Sequence, residues 1–381
     1  MDKTLADTLV GWRRHLHAHP ELSLNERDTS AFVCEKLKEL GIPFVAGVGG
    51  HGVVATISRG KSNRSVGLRA DMDALPITET TGLAYASTNP GVMHACGHDG
   101  HTTSLLGAAA LLVRDTAWSG TVHLVFQPAE EGGGGAKSMI SDGLFTRFPM
   151  EKIFGYHNWP GLAAGTVMVH DGPVMAGGGR IEIILDGLAG HAALPHLTRD
   201  PMLAAGHLLV ALQSIVARNI DPLDAAVVTI GTIEGGRAAN QIPSCVTLRG
   251  THRFYRNEVR DLLTAAIERV ANGIAATFGM TARIEMPVGL GPTVNHKAEA
   301  ALAVEACQEN AIPVVTDLRP AMTGEDFSHF LHEKPGAFVW IGNGPSEPGR
   351  DLHNDAYNFN DAILPNAAGY LAGIAKRALR A

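Results

Sequence analysis

Thr121-Val122-His123-Leu124-Val125-Phe126-Gln127 reads as a β-strand, and it runs directly into Pro128-Ala129-Glu130-Glu131. Working outward from it decides the fold. Upstream, a helix is expected over about 102–114, with Leu105, Leu106, Ala109 and Leu112 on one face. Before that helix lies a second strand, Ser65-Val66-Gly67-Leu68-Arg69-Ala70, which ends at Asp71-Met72-Asp73, and a third, Gly52 to Ile57. Downstream, Ile153-Phe154-Gly155-Tyr156-His157 reads as one more strand. Strands that alternate with helices indicate an α/β layer, here a central mixed, largely parallel sheet with flanking helices. Leu5 to Leu40 reads as helical, and Gly41-Ile42-Pro43 stops that stretch.

The pattern changes at Gly177-Gly178-Gly179. Beyond it come a strand (180–187), a helix (200–218), two strands (226–233 and 244–252), a helix (257–277) and a strand (280–287). That order, β-α-β-β-α-β, is a ferredoxin-like α+β unit. After Pro292 the α/β character resumes, with a helix at 298–310, a strand at 337–341 and a last helix from Leu364. The simplest organisation is one α/β domain, 1–178 and 289–381, interrupted by an inserted smaller domain, 179–288. A chain of 381 residues is long enough for two domains at ~100–200 residues each.

Composition excludes several classes. Hydrophobic residues make up 45% and charged residues 18%, which suits a packed core and not a disordered chain. The formal charge of −7 is opposite to the basic excess of a nucleic-acid binder. No apolar run approaches the ~20 residues of a membrane span, so no membrane role is expected. The first residues lack the basic and apolar segments of a signal peptide, and the four scattered cysteines form no CxxC pair, so a reducing, cytoplasmic setting is expected. The chain has 18 histidines, which directs attention to where they cluster.

The densest cluster is His94-Ala95-Cys96-Gly97-His98-Asp99-Gly100-His101. A Cys and a His two apart on a loop can reach one metal centre, and a thiolate can bridge two metals. Glu130-Glu131 follows a strand end; one carboxylate can ligate a metal while its neighbour takes a proton from water. Taken alone, that pair is more readily a solvated acidic turn. Gly132-Gly133-Gly134-Gly135 does not make a phosphate loop, because GxxxxGK[ST] ending at Lys137 would need glycine where Glu131 and Ala136 stand. His157 and His353, the latter in Leu352-His353-Asn354-Asp355, complete the set of interest. In an open α/β sheet, sites collect at the carboxyl ends of strands, where Asp71, Glu130, Glu131 and His157 are expected.

Arg69-Ala70-Asp71-Met72-Asp73-Ala74-Leu75-Pro76, the 94–101 cluster, Gln127-Pro128-Ala129-Glu130-Glu131, Gly155-Tyr156-His157-Asn158-Trp159-Pro160 and Gly324-Glu325-Asp326-Phe327-Ser328 together resemble the M20 metallopeptidase family. The resemblance is closest to its amidohydrolase branch of hippurate, N-acyl-amino-acid and auxin-conjugate hydrolases. It implies a di-metal exopeptidase-like fold with a lid and dimerisation domain inserted. It implies two divalent ions per subunit, zinc or manganese first, with cobalt or nickel as alternatives. Cys96 matches a bridging thiolate; His98, Glu131, His157 and His353 match the other ligands; Glu130 matches the general base. His191 matches an inserted-domain histidine that reaches the partner subunit's site in a homodimer. Asn240 and Arg253 match positions associated with the substrate carboxylate, and Asp73 and Asp99 are expected behind the ligands. Asp355 and Tyr156 depart from the family pattern and bear on substrate fit.

The activity implied is hydrolysis of an N-acyl amino acid to a carboxylic acid and a free amino acid. A dipeptidase of the same family is the near alternative, and a metal-binding scaffold without activity is the distant one. A zinc nucleobase deaminase would need H-x-E followed by P-C-x-x-C, and this chain has neither.

Overall fold

The computed structural model describes residues 1–380 and divides into two compact units. The first comprises residues 1–174, 294–319 and 326 to the C-terminus; the second comprises 175–293 and 320–325.

An eight-stranded sheet forms the first unit. Its order is Phe44–Val48, Gly52–Arg59, Gly120–Gln127, Ser65–Asp71, Lys152–Pro160, Gly336–Gly344, Val167–Met168 and Val314–Val315. The four central strands, from Gly120–Gln127 to Gly336–Gly344, are mutually parallel, and antiparallel pairs flank them. The mixed, largely parallel sheet is therefore as expected. Val122, Leu124, Val125 and Phe126 are all fully buried, so this strand is covered on both faces, the usual condition of a parallel strand. Helices Lys3–Ala18, Arg27–Glu39, His98–Arg114 and Leu364–Arg380 contribute Leu9, Val33, Leu37, Leu105, Leu106, Leu371 and Ile374 to one core.

Details differ from the sequence reading. Phe44–Val48 is an extra edge strand, hidden in the sequence because Gly47 breaks its pattern. The helix expected from 102 begins four residues earlier, at His98, so His98 sits in a helical first turn and Gly97 at its cap.

In the second unit, Ala226–Glu234, Cys245–Phe254, Gly177–Asp186 and Thr281–Glu285 lie in that order, every neighbour antiparallel. With helices Pro201–Asn219 and Asn257–Thr277 this is the β-α-β-β-α-β unit. Pro201–Asn219 revises one expectation: at 19 residues and a mean hydropathy of 1.3 it is long and apolar enough for a membrane span. Its Ala204, Ala205, Leu208, Leu212 and Ile215 are instead buried in this unit's own core.

Candidate metal centre

Three parallel strands deliver the site at their carboxyl ends. Asp71 ends one and lies opposite Gln127, the end of the next, and His157 stands near the end of the third. Beyond Gln127 the chain turns sharply: Ala129 has φ +53°, a left-handed conformation that carries local strain in a residue with a Cβ. The turn is held by four groups. Ala129 N–H donates to Glu26 Oε1 at 2.7 Å, and Glu131 N–H donates to Asp73 Oδ2 at 3.0 Å. Gly135 N–H donates to the Ala129 carbonyl at 3.0 Å, and Ala136 N–H to Asp326 Oδ2 at 3.0 Å. The glycine run belongs to this packing: a Cβ at Gly135 would lie 1.6 Å from the Pro128 carbonyl oxygen.

The five expected ligands converge. Donor atoms of Cys96, His98 and His157 lie within 4.8 Å of one another, and so do those of Cys96, Glu131 and His353. Cys96 belongs to both groups, where a bridging ligand would stand. His98, Glu130 and Glu131 form a third such group. His353 has φ +63°, and its Nε2 lies 3.2 Å from Glu131 Oε1.

Hydrogen bonds fix both buried imidazoles. His98 Nδ1 faces the Asp73 carbonyl at 2.9 Å and Oδ1 at 3.2 Å, so it is the N–H nitrogen, and Nε2 makes no hydrogen bond although buried. His157 Nδ1 donates to the Asn158 carbonyl at 2.7 Å, which turns Nε2 toward Cys96 Sγ at 3.3 Å. Anchoring one ring nitrogen so that the other points inward is the usual preparation of a histidine ligand. Burial opposes charge on His98, but Asp71, Asp73 and Glu131 overcome it and raise its pKa to about 10. Burial, then Glu131 and Glu130, hold the Cys96 thiol well above its ordinary range. An orphaned imidazole nitrogen, a thiol whose ionisation needs a nearby cation and a surplus of carboxylates fit divalent metal ions.

The other histidines of the cluster face elsewhere. His101 donates from Nδ1 to Asp71 Oδ1 at 2.6 Å, and its Nε2 accepts Asn158 N–H at 3.0 Å, so neither nitrogen remains for a metal. His94 is fully buried, makes no side-chain hydrogen bond and has its pKa pushed down to about 4 by burial. Asp73 touches His98, as expected, but Asp99 does not touch the ligands. It accepts from His17 Nδ1 at 2.8 Å, and Arg13 Nη1 lies 3.6 Å away, which ties the N-terminal helix to the cluster. Tyr156 spends its hydroxyl on Ser104 and Gly100, inside the protein.

His191 and Asn240 come together in the second unit: strand Gly190–His191 pairs with Gln241–Ile242, and Ala192 N–H donates to the Asn240 carbonyl at 3.0 Å. His191 is exposed. Arg253 lies away from that ribbon, on the main sheet opposite Val227 and Gly178, donating to Thr251 and to the His252 carbonyl. Sequence reasoning passed over Arg69, Gln127 and Asp326, three fully buried polar side chains that pack together beneath the Glu130 turn. Their signal was present: a charged Arg inside an otherwise apolar strand has to be paired.

Residues 67–377 match the model of peptidase family M20/M25/M40. The chain belongs to peptidase family M20. Within it, the chain falls in the amidohydrolase branch. It is 41% identical to an N-acetyl-L-cysteine deacetylase of Bacillus subtilis, over 99% of this chain and 89% of that one. It is 41% identical to a hippurate hydrolase of Campylobacter jejuni, over 97% and 96%. The crystal structure of a Bacillus subtilis protein described as a dinuclear metal binding peptidase from the M20 family superposes with a TM-score of 0.88. That match has 35% identity and covers 100% of this chain and 99% of the other.

For an M20 site of this geometry, Cys96→Ser is expected to lower metal content and activity together, because a serine hydroxyl is a far poorer bridging ligand at neutral pH. Metal analysis beside turnover checks it, and a fully active, fully loaded variant would count against the thiolate. Cys34→Ser and the exposed Cys245→Ser should leave turnover unchanged. Cys307 is buried in the core, so Ser there should cost stability without touching the site.

Proposed function

We propose that this chain is a two-metal amidohydrolase that cleaves the amide bond of N-acyl amino acids to a carboxylic acid and a free amino acid. The observation that carries the reading is the sharing of Cys96 by two donor groups with Glu130 beside them. The named activities of the relatives at about 40% identity, on N-acetylcysteine and hippurate, support the substrate class. Cys96, His98, Glu131, His157 and His353 would hold the ions, zinc or manganese first for a mixed S, N and O set. Such ions, when bound, supply Lewis acidity to the scissile carbonyl and lower the pKa of water. Glu130 takes the proton of the attacking water at its carboxylate and hands it to the departing amine. His191 donates to the oxygen on which negative charge develops. Asn240 or Arg253 holds the free carboxylate of the substrate, Arg253 as a two-pronged donor.

A panel of N-acetyl amino acids, hippurate, indole-3-acetyl amino acids and dipeptides, run with chelated and with metal-restored protein, tests the reading. Turnover of an N-acyl amino acid that a strong chelator abolishes and a divalent ion restores is expected. Turnover confined to dipeptides would move the assignment to the peptidases of the family, and activity in metal-free protein would end it.

We also propose a homodimer through the second unit, in which His191 serves the partner's site. The exposed apolar residues Leu203 and Val210 on helix Pro201–Asn219, and the edge strand Ala226–Glu234, support this reading. Mixing Glu130→Gln with His191→Ala under subunit exchange should return roughly a quarter of wild-type activity, since half the dimers are mixed and each carries one intact site. No return with exchange confirmed would place His191 within its own subunit's site.

A further inference from the structure

Gly324-Glu325-Asp326-Phe327-Ser328 contributes none of the expected ligands and none of the proposed catalytic groups, yet its Asp326 is 1% exposed and meets donors on every side. Its carboxylate accepts from Gln127 Nε2 at 2.8 and 2.9 Å, from Ala136 N–H at 3.0 Å and from Arg69 Nη2 at 3.2 Å. Its own backbone N–H donates to Glu130 Oε1 at 3.3 Å. Gln127 precedes the Glu130-Glu131 pair and Ala136 follows it, so one buried side chain clamps both ends of the turn while its backbone touches the carboxylate between them. Arg69 completes the clamp, donating from Nε to Gln127 Oε1 at 2.7 Å and from Nη1 to Asp71 Oδ2 at 2.7 Å.

From this geometry we propose that Asp326 is the positioning residue of Glu130. The proposal rests on the reading of Glu130 as general base. An N–H bound to Oε1 fixes the orientation of the carboxylate. Four acceptor positions filled by three side-chain or backbone donors from different elements require a carboxylate, since an amide at 326 would set its own NH₂ against a donor. Ala129 has a left-handed backbone, a conformation that persists only where its surroundings hold it.

The test is a double-mutant cycle of Asp326→Asn with Glu130→Gln on metal-loaded protein, read as single-turnover rate, KM, metal content and melting temperature. Asp326→Asn conserves volume, and Asp71 still pairs with Arg69, so the fold is retained. Its expected effect is a loss of roughly 10- to 100-fold in kcat, the scale of a misplaced catalytic group, with KM within about twofold and both metals bound. In the Glu130→Gln background the same change should cost less than about twofold, because the group it positions is already gone. Should Asp326→Asn prove insoluble, Gln127→Met removes three of the clamp's bonds without adding charge and should show the same non-additivity. Multiplicative losses, unchanged kcat, or loss of metal in step with activity would overturn the proposal. Full activity in Glu130→Gln alone would instead overturn the role of Glu130, so the two failures are distinguishable.

Discussion

Glu130→Gln is expected to lower kcat by at least ~10²-fold, the ordinary scale for loss of a general acid–base group, while metal content stays at the wild-type level. The amide keeps the size of the side chain and an oxygen that can accept the Asp326 N–H, so the turn should stay in place. What it removes is the ability to take a proton from water. Because the donor oxygens of Glu130 and Glu131 both fall within 4.8 Å of the His98 nitrogen, distance alone does not divide ligand from base between them. The substitution does: loss of metal together with rate would exchange their roles, and intact turnover would remove Glu130 from the mechanism.

Gly135→Ala should be at least as damaging, for a different reason. The added methyl would sit 1.6 Å from the Pro128 carbonyl oxygen and 2.7 Å from its carbon, both backbone atoms that cannot rotate aside. Relief requires moving the segment that carries Glu130 and Glu131, so activity and metal content should fall together and the melting temperature should drop; overpacking of this kind costs typically 1–3 kcal/mol. Gly11→Ala is the control. Nothing lies within 4 Å of its added methyl on helix Lys3–Ala18, and Ala in place of an exposed helical Gly stabilises by up to ~1 kcal/mol. A Gly135→Ala enzyme with wild-type turnover and stability would mean that the turn is looser than its contacts indicate.

The sheet was legible because its strands are apolar, five or more residues long and bounded by helices. What escaped was whatever periodicity does not mark: the edge strand interrupted by Gly47, and the two-residue strands Val167–Met168 and Val314–Val315, which exist only through their neighbours. The candidate ligands stood out because Cys96, His98 and Glu131 lie in motifs with unusual side-chain chemistry, and the fold brings their donor atoms together. The histidines that turn away, His94 and His101, look the same in sequence. Only hydrogen-bond partners separate them from His98, since Asp71 and Asn158 occupy both nitrogens of His101. Asp99 reads as a partner for its neighbour His98 until the fold brings in His17, a residue 82 positions away. The glycine run was legible as something other than a phosphate loop, but its purpose depended on the carbonyl of Pro128, which no pattern of side chains announces.

The turn that carries Glu130 also has a place in the order in which the chain folds. The side chains that pin its backbone, Glu26, Asp73 and Asp326, lie 103, 58 and 190 residues from the amides they hold. Contacts of such separation are slow to form, because loop-closure entropy is lost before they stabilise anything. The strand Gly120–Gln127 has by then gained its neighbours through Gly52–Arg59 and Ser65–Asp71, both of which precede it in the chain. In pulse-labelled refolding the amides of Ala129 and Ala136, whose partners lie 103 and 190 residues away, should therefore gain protection after those of residues 122–126. A chain refolded only that far has its sheet and lacks the finished turn that carries Glu130, so regained catalysis should lag behind regained secondary structure, and simultaneous recovery of the two would show that turn and sheet close as one event.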